Sequence, residues 1–540
     1  MLSAQAPAES GTVAGSGRAG LRLHWALLVC LVGGALLALA FPPYGIWPLA
    51  AAGPCLLVLA LAGRSLRGSL ACGIVYGVAF FFPLLSWLVN VAWYAWVTLA
   101  VAEALIFGVL AVGQRLLLHL RYWPAAVAGW WVTMEGVHDR WPWAFPWGRL
   151  AMSQASAPDA GWMAIGGAPL LSFLVGLTGA MIARAVLART GLGGVAPARG
   201  WRGSALRASV SAVLTAGIVL AIALVPLDPV GHVPTAEVAA IQGNVPRERN
   251  LPAQVNDDEL TLDQEQTTLK LAAEVKAGKL AAPDVVLWPE NSTNIDPFDD
   301  PAIYDEIITA VKAIDRPVLV GEVLQNPQLN VGQLWTPDGG PGPMYIKRQL
   351  VPFGEYIPLR GFISLFTSLP SLVPTNFTPG HKAVVLDAGK VRLGDVICYE
   401  VGFDPLVRSE VTAGANLLSV QSNDADFEID GQSGESGQQI AMARLRAIES
   451  DRAVVYASIT GESAIISPDG EVITHSGMWQ QAILEARVPL VTYRTLADRV
   501  GQWPEYVIMA FTVLSLLVAL SLVAGIVPRS AGTMRWVSAS

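Results

Sequence analysis

Three of the four cysteines in this 540-residue chain, Cys30, Cys55 and Cys72, lie in long apolar runs, where a thiol behaves as a small apolar side chain. The fourth, Cys398, ends the run Val391 to Ile397 and is followed by Tyr399-Glu400. With no other cysteine in its region it is either a buried small hydrophobe or a reactive thiol. A thiol nucleophile has an unperturbed pKa of ~8.5 and needs a base or a cation to raise its thiolate fraction. Histidine is the usual partner, yet His232, His381 and His475 stand in no catalytic context, and His381 falls in the turn-like Thr378-Pro379-Gly380-His381-Lys382. Two other ionisable residues follow short apolar runs: Glu290 in Leu287-Trp288-Pro289-Glu290-Asn291-Ser292, and Lys347 in Tyr345-Ile346-Lys347-Arg348. Each taken singly reads as a solvated loop charge. Together with Cys398 they form an acid, a cation and a thiol, all at strand ends that can point into one pocket.

The elements that must position these residues read as α/β. Strands are expected at 237–241, 284–287, 317–320, 344–346, 383–386, 391–397, 416–420, 453–459, 463–466 and 482–486. Helical periodicity covers 258–277, 302–314, 404–413 and 436–450, and Asp469-Gly470 between apolar flanks predicts a hairpin turn. About 270 residues of this alternation make one layered domain.

The rest of the chain is a different material. Residues 1–227 hold 13 Arg, no Lys and five acids, a balance of +8, whereas residues 228–503 hold 20 basic and 37 acidic residues, a balance of −17. Overall the chain is 53% hydrophobic and 14% charged, against about 25% charged in a soluble domain. Apolar windows long enough to cross ~30 Å of hydrocarbon run at 23–41, 46–62, 70–90, 93–113, 124–138, 162–183, 206–227 and 506–527. Arginines fall in alternate connections, beginning with Arg18 and Arg22, then Arg64 and Arg67, and ending with Arg529 and Arg535. By the positive-inside rule both termini are cytoplasmic and the acidic domain lies outside. Ala38-Leu39-Ala40 resembles a signal cleavage site, but its ~19-residue apolar run exceeds a signal's 7 to 15, so the first span is expected to stay uncleaved. The aromatic stretch Trp141 to Gly148 reads as an interfacial belt or, alternatively, as the lipid-facing mouth of a site.

These divisions predict a disordered cytoplasmic tail at 1–22 and a membrane domain of about seven helices at 23–228. An extracytoplasmic catalytic domain follows at 229–503, then a C-terminal span at 504–528 and a cytoplasmic tail at 529–540.

Trp288-Pro289-Glu290-Asn291, Lys347 with Leu350-Val351-Pro352-Phe353-Gly354-Glu355-Tyr356-Ile357-Pro358, and Ile397-Cys398-Tyr399-Glu400 resemble the Glu-Lys-Cys signature of the nitrilase superfamily. More narrowly, they resemble its membrane branch, the apolipoprotein N-acyltransferases of bacteria. Supporting matches are Ile241-Gln242-Gly243-Asn244, Glu135 with Phe145-Pro146-Trp147, Ser153-Gln154, and Met442 to Glu449. The resemblance implies a multi-span α-helical membrane domain plus a nitrilase-like α-β-β-α sandwich, in the bacterial plasma (inner) membrane, with the catalytic domain on the outer face.

It further implies a two-step acyl transfer. Cys398 would take an acyl chain from a membrane phospholipid as a thioester and pass it to the α-amine of the lipidated N-terminal cysteine of diacylated apolipoproteins. Glu290 would be the base, Lys347 the oxyanion and thiolate stabiliser, and Glu355, Tyr399 and Glu400 supporting residues. No cofactor, metal or nucleic acid is implied. The chain departs from the family pattern near Asn250, where a tryptophan is usual, and at Asp426, where Ala425-Asp426-Phe427-Glu428 replaces an aromatic-glycine segment. The alternative with the same triad is a membrane-tethered nitrilase-type amidase or hydrolase, and a non-catalytic scaffold is a third. Eight spans exceed what an anchor needs, which favours a lipid substrate.

Overall fold

The computed structural model describes residues 20–141, 144–194, 201–224, 233–245, 253–365, 371, 373–425, 427 and 434–526. The predicted tail at 529–540, most of that at 1–22, and both departure positions, Asn250 and Asp426, lie outside the described residues.

Before residue 225 the chain forms α1 (Leu23–Ala38), α2 (Leu49–Leu61), α3 (Leu66–Leu84), the single turn α4 (Leu88–Val91), α5 (Trp93–Leu117), α6 (Trp123–His138), α7 (Met163–Thr190) and α8 (Trp201–Leu220). Among the described residues five helical segments are long and apolar enough to cross a membrane: α3, α5, Ala160–Thr190, Leu206–Leu224 and a final helix at Trp503–Val523. The expected spans at 23–41, 46–62 and 124–138 correspond to shorter helices of 16, 13 and 16 residues. Helix α7 is interrupted at Gly166 and Gly167. Gly167 has φ +67°, and a Cβ there would lie 2.9 Å from the carboxylate of Glu449, so the break needs a residue without a side chain.

The remaining chain builds two six-stranded sheets. The first has the order β12-β1-β2-β3-β4-β5, from β1 (Thr235–Gln242), β2 (Val285–Leu287), β3 (Val318–Leu324), β4 (Leu329–Thr336), β5 (Gly340–Ile346) and β12 (Ala482–Pro489). The second has the order β11-β10-β9-β8-β7-β6, from β6 (Val385–Ala388), β7 (Val391–Ile397), β8 (Leu417–Ser422), β9 (Val454–Ser458), β10 (Ala464–Ile466) and β11 (Val472–His475). β1, β2 and β3 run parallel, as do β7, β8 and β9. The helices of this part are α9 (Ala253–Lys276), α10 (Pro301–Ile314), the short α11 (Arg360–Ile363), α12 (Asp404–Ala413), α13 (Glu435–Ser450) and α14 (Leu496–Val500), before α15 (Trp503–Val523).

Alternation along the strands sorts the apolar residues into layers. Val238, Leu287, Leu319 and Leu334 of the first sheet face Leu393, Ile397, Leu417 and Val455 of the second. Ile241, Val286 and Val320 turn the other way, onto Ile303, Ile307 and Val311 of α10 and Leu271 of α9. On the far side of the second sheet, Val396, Leu418, Val420 and Val454 meet Val407 and Val411 of α12 and Ile440 and Leu445 of α13, and that core continues into the membrane helices. The sandwich is therefore α-β-β-α, and its α12/α13 layer is the one that rests on the helical base.

Strand β4 was not among the expected strands. Asn330, Gly332 and Gln333 interrupt its apolar alternation, and its assignment depends on pairing with β3 and β5. The hairpin at Asp469-Gly470 is present between β10 and β11, with Gly470 at φ +82°.

Candidate active site

Glu290, Lys347 and Cys398 each follow a strand end, after β2, β5 and β7 respectively. These three strands bring their carboxyl ends to one edge of the sandwich, and β4, running the opposite way, starts there with Leu329-Asn330. Carboxyl ends of parallel strands leave room for loops that carry chemistry. The turn holding Glu290 lies so close to β3 that a Cβ on Gly321 would sit 2.1 Å from the Pro289 carbonyl oxygen.

Lys347 is buried and its Nζ donates to Glu290 Oε1 and to Glu355 Oε1, both at 2.8 Å. Asn330 Nδ2 donates to the same two oxygens, at 2.7 and 2.8 Å. The backbone N–H of Asn423 reaches Glu290 Oε2 at 3.1 Å, and that of Val351 reaches Glu355 Oε2 at 2.7 Å. A cation thus sits between two carboxylates whose remaining lone pairs are held by fixed donors. Burial alone would lower the Lys347 ammonium, but Glu290 and Glu355 carry it well above the ordinary lysine value, so it stays charged.

Cys398 opens a short 3₁₀ turn, Cys398–Gly402, at φ 52°, a left-handed conformation costly for a residue with a Cβ. The residue is 6% exposed, and Gln439 Nε2 lies 3.5 Å from Sγ. Burial pushes the thiol well above its usual range, the Glu290 charge adds to this, and Lys347 opposes it. Burial likewise raises Glu290, against the pull of Lys347. A neutral thiol thus faces a carboxylate that is a stronger base than an exposed glutamate, which suits proton transfer between them.

Glu400 does not face the thiol. Its Oε1 accepts from the N–H groups of Arg348 and Gln349 at 2.7 and 2.9 Å, and its Oε2 from Ile397 N–H and Tyr345 Oη, both at 2.8 Å. It therefore ties the chain just after Lys347 to the turn that holds Cys398. Tyr399 donates to the Ala144 carbonyl at 2.6 Å and stacks on Trp147, with ring centroids 5.5 Å apart.

A cavity of about 150 Å³ runs from Cys398 toward the helical base, lined by Trp87, Leu99, Phe145, Trp147, Val351 and Phe353 among others. At its far end stand Glu103 and His138, whose Nε2 is 2.7 Å from the Glu103 carboxylate. Of the aromatic stretch, Trp141 is exposed, whereas Trp147 is buried, with Nε1 donating to Gln438 at 2.9 Å. That part is a cavity wall rather than an interfacial belt, and Pro142-Trp143 lies outside the described residues. Phe427, within one of the departure segments, lines the same cavity and packs edge-on against Trp87 at 5.1 Å.

Sequence reasoning missed Asn330, Gln439 and Glu435 at this site. Asn330 was hidden in the unexpected strand. Gln439 and Glu435 lie on a helix whose polar face looks solvated until α13 is buried between sheet and base. Other family matches lie elsewhere. Gln242 Oε1 accepts from Ser463 and Ser476 at 2.6 and 2.7 Å, and Glu135 Oε1 accepts from Leu150 N–H at 2.8 Å. Among the described residues no group of three or more His, Cys, Asp or Glu side chains is placed to hold a metal ion.

Comparison with known proteins adds independent findings. Residues 33–181 match the family described as the apolipoprotein N-acyltransferase N-terminal domain, and residues 237–498 match carbon-nitrogen hydrolase. The chain is 37% identical to an apolipoprotein N-acyltransferase of Mycolicibacterium smegmatis, covering 92% of this chain and 85% of that one. It is 29% identical to one of Azotobacter vinelandii, covering 88% and 92%. Among solved structures, an amidase from Nesterenkonia sp. is 19% identical over 48% of this chain and 94% of its own, with a TM-score of 0.34.

Proposed function

The chain belongs to the apolipoprotein N-acyltransferase family, and on that premise we propose that it acylates lipoproteins through Cys398, with Glu290 and Lys347 as its catalytic partners. The observation that carries this reading is a buried thiol beside a carboxylate-lysine pair, at the head of an apolar cavity leading into the helical base. Glu290 removes the thiol proton as Sγ attacks the ester carbonyl of a membrane phospholipid. The C–S bond forms, the C–O bond breaks, and the lysophospholipid leaves with the proton that Glu290 returns. Lys347 stabilises the oxyanion of each tetrahedral intermediate. In the second half the α-amine of a diacylated apolipoprotein attacks the thioester, Glu290 takes its proton, the C–N bond forms, the C–S bond breaks with its electron pair returning to Sγ, and the proton passes back to the thiolate. Glu355 and Asn330 hold the lysine and base in register, Glu400 holds the two loops together, and Tyr399 walls the cavity.

The sandwich, residues 229–503, faces outward from the bacterial plasma membrane on a multi-pass base spanning 23–228 and 504–528. A lipid donor explains why a thiol enzyme stands over an apolar cavity that the sandwich and the helical base line together.

Purified protein given phospholipid is expected to form a hydroxylamine-sensitive acyl adduct on the Cys398 peptide, absent in Cys398→Ala. A diacylated lipopeptide should then gain a third chain by mass spectrometry. No adduct under turnover would overturn the proposal, and release of free fatty acid alone would convert it to a hydrolase. For sidedness, a cysteine at the exposed position of Lys279 (Lys279→Cys) should react with an impermeant thiol reagent in intact cells. Reaction only after lysis would reverse the topology.

A further inference from the structure

The nucleophile has a second polar neighbour whose orientation is fixed. Gln439 on α13 is 1% exposed and its Nε2 lies 3.5 Å from Cys398 Sγ. The same Nε2 donates to Glu435 Oε1 at 2.5 Å, while Gln439 Oε1 accepts from Tyr456 Oη at 3.2 Å. Turning the amide over would place its oxygen against the Glu435 carboxylate and its NH₂ against the tyrosine hydroxyl, two acceptors in contact at one end. The nitrogen therefore stays on the side of the sulfur. An amide nitrogen carries two hydrogens; one serves Glu435, and the other is free to serve Sγ.

The chemistry makes a use for this donor. The thiolate must form in a buried place, beside the carboxyl groups of Glu290, Glu435 and Asp424, with Lys347 as the cation that opposes them. In the second half-reaction the thiolate is the leaving group, so a donor to sulfur lowers both barriers. Taking Cys398 as the nucleophile, as the preceding reading does, we propose that Gln439 is a further catalytic residue, donating a hydrogen bond from Nε2 to the Cys398 thiolate. Glu435 is the positioning residue that keeps the amide nitrogen turned toward it.

The test is the pH profile of Cys398 alkylation in the full-length protein in detergent, read by mass spectrometry on the Cys398 peptide so that Cys30, Cys55 and Cys72 do not interfere. Gln439→Met keeps the length and removes the donor; Gln439→Asn keeps the amide one methylene short of the sulfur. Glu290, Lys347, Glu435 and Asp424 remain in both. The alkylation midpoint is expected to rise by about one pH unit in each, a roughly tenfold loss of thiolate at fixed pH, and the rate of thioester formation from phospholipid should fall in parallel. A residue that only packs would lower yield and leave the midpoint in place. An unchanged midpoint in both variants overturns the proposal. A wild-type protein that alkylates normally but forms no thioester overturns the acyltransfer chemistry instead, and the alkylation profiles still decide the role of Gln439.

Discussion

Two buried charge clusters stand near one another and behave oppositely. In the first, Lys347 lies between Glu290 and Glu355 beside a thiol and a cavity. In the second, Arg149 from the helical base reaches both oxygens of Asp404 at 3.1 and 3.2 Å and Asp139 at 3.0 Å. Arg446 of α13 pairs with Asp404 and with Glu449, and donates to the carbonyls of Val401 and Gly402 at 2.9 and 3.1 Å. The second cluster crosses from base to sandwich, and its arginines are matched by carboxylates and backbone oxygens. Burial alone would raise the Asp404 carboxyl, but Arg149, Arg446 and Arg408 hold it well below its usual range. Buried ion pairs are therefore no mark of an active site by themselves. The first cluster is set apart by a strained thiol and an apolar cavity.

That contrast can be broken by mutation. The largest effect is expected from Lys347→Met, which leaves two buried carboxylates facing each other and removes the oxyanion's partner. Turnover per folded molecule should fall by about 10³-fold or more, beyond any loss of stability, and a variant with near-normal kcat would place the oxyanion stabiliser elsewhere. Arg149→Ala should act in the opposite sense. Leaving Asp404 and Asp139 without it is expected to cost about 3 kcal/mol of stability, read as a lower thermal midpoint in detergent, while activity per folded molecule persists. If kcat collapsed and the midpoint held, the two clusters would have exchanged roles. Asn330→Ala should lower kcat by roughly tenfold, the cost of losing a donor shared by two charged acceptors, with little change in acceptor KM.

The smallest effect concerns pH. Because the folded Asp404 carboxyl lies below its unfolded value of ~3.9, its contribution to stability is present above about pH 4 and is lost as pH falls through the folded value. One proton limits the slope to about 1.4 kcal/mol per pH unit. Unfolding midpoints measured from about pH 5 to pH 2 should lose the Asp404 contribution only below about pH 4 in the wild type, and that part of the fall should be absent in Asp404→Asn.

Much of this was legible before the fold. Glu290, Lys347 and Cys398 could be found because each closes a short apolar run, and Glu355 through the Leu350 to Pro358 string. The four long helices of the sandwich lie where their periodicity put them, within a few residues. Asn330 was not legible, because a strand interrupted by Asn, Gly and Gln lacks the alternation that marks one, and its pairing is supplied by neighbours distant in sequence. Glu400 was expected as a supporting residue from the resemblance, whereas what its carboxylate does, bonding a loop some fifty residues away, could not be read from the chain.

What the sequence by itself determined is local: which residues are apolar over a helix's length, which alternate at the period of a strand, and which reactive types punctuate those runs. Such patterns follow from the short-range geometry of the backbone and survive in one dimension. The tertiary structure alone decided that three strand ends share one edge, that α13 lies between sheet and base, and that its Gln439 points at sulfur. It also set one buried cluster beside a thiol and an apolar cavity and the other between base and sandwich. Those outcomes depend on which surfaces exclude water from one another, and that exclusion exists only once separate parts of the chain have been packed together.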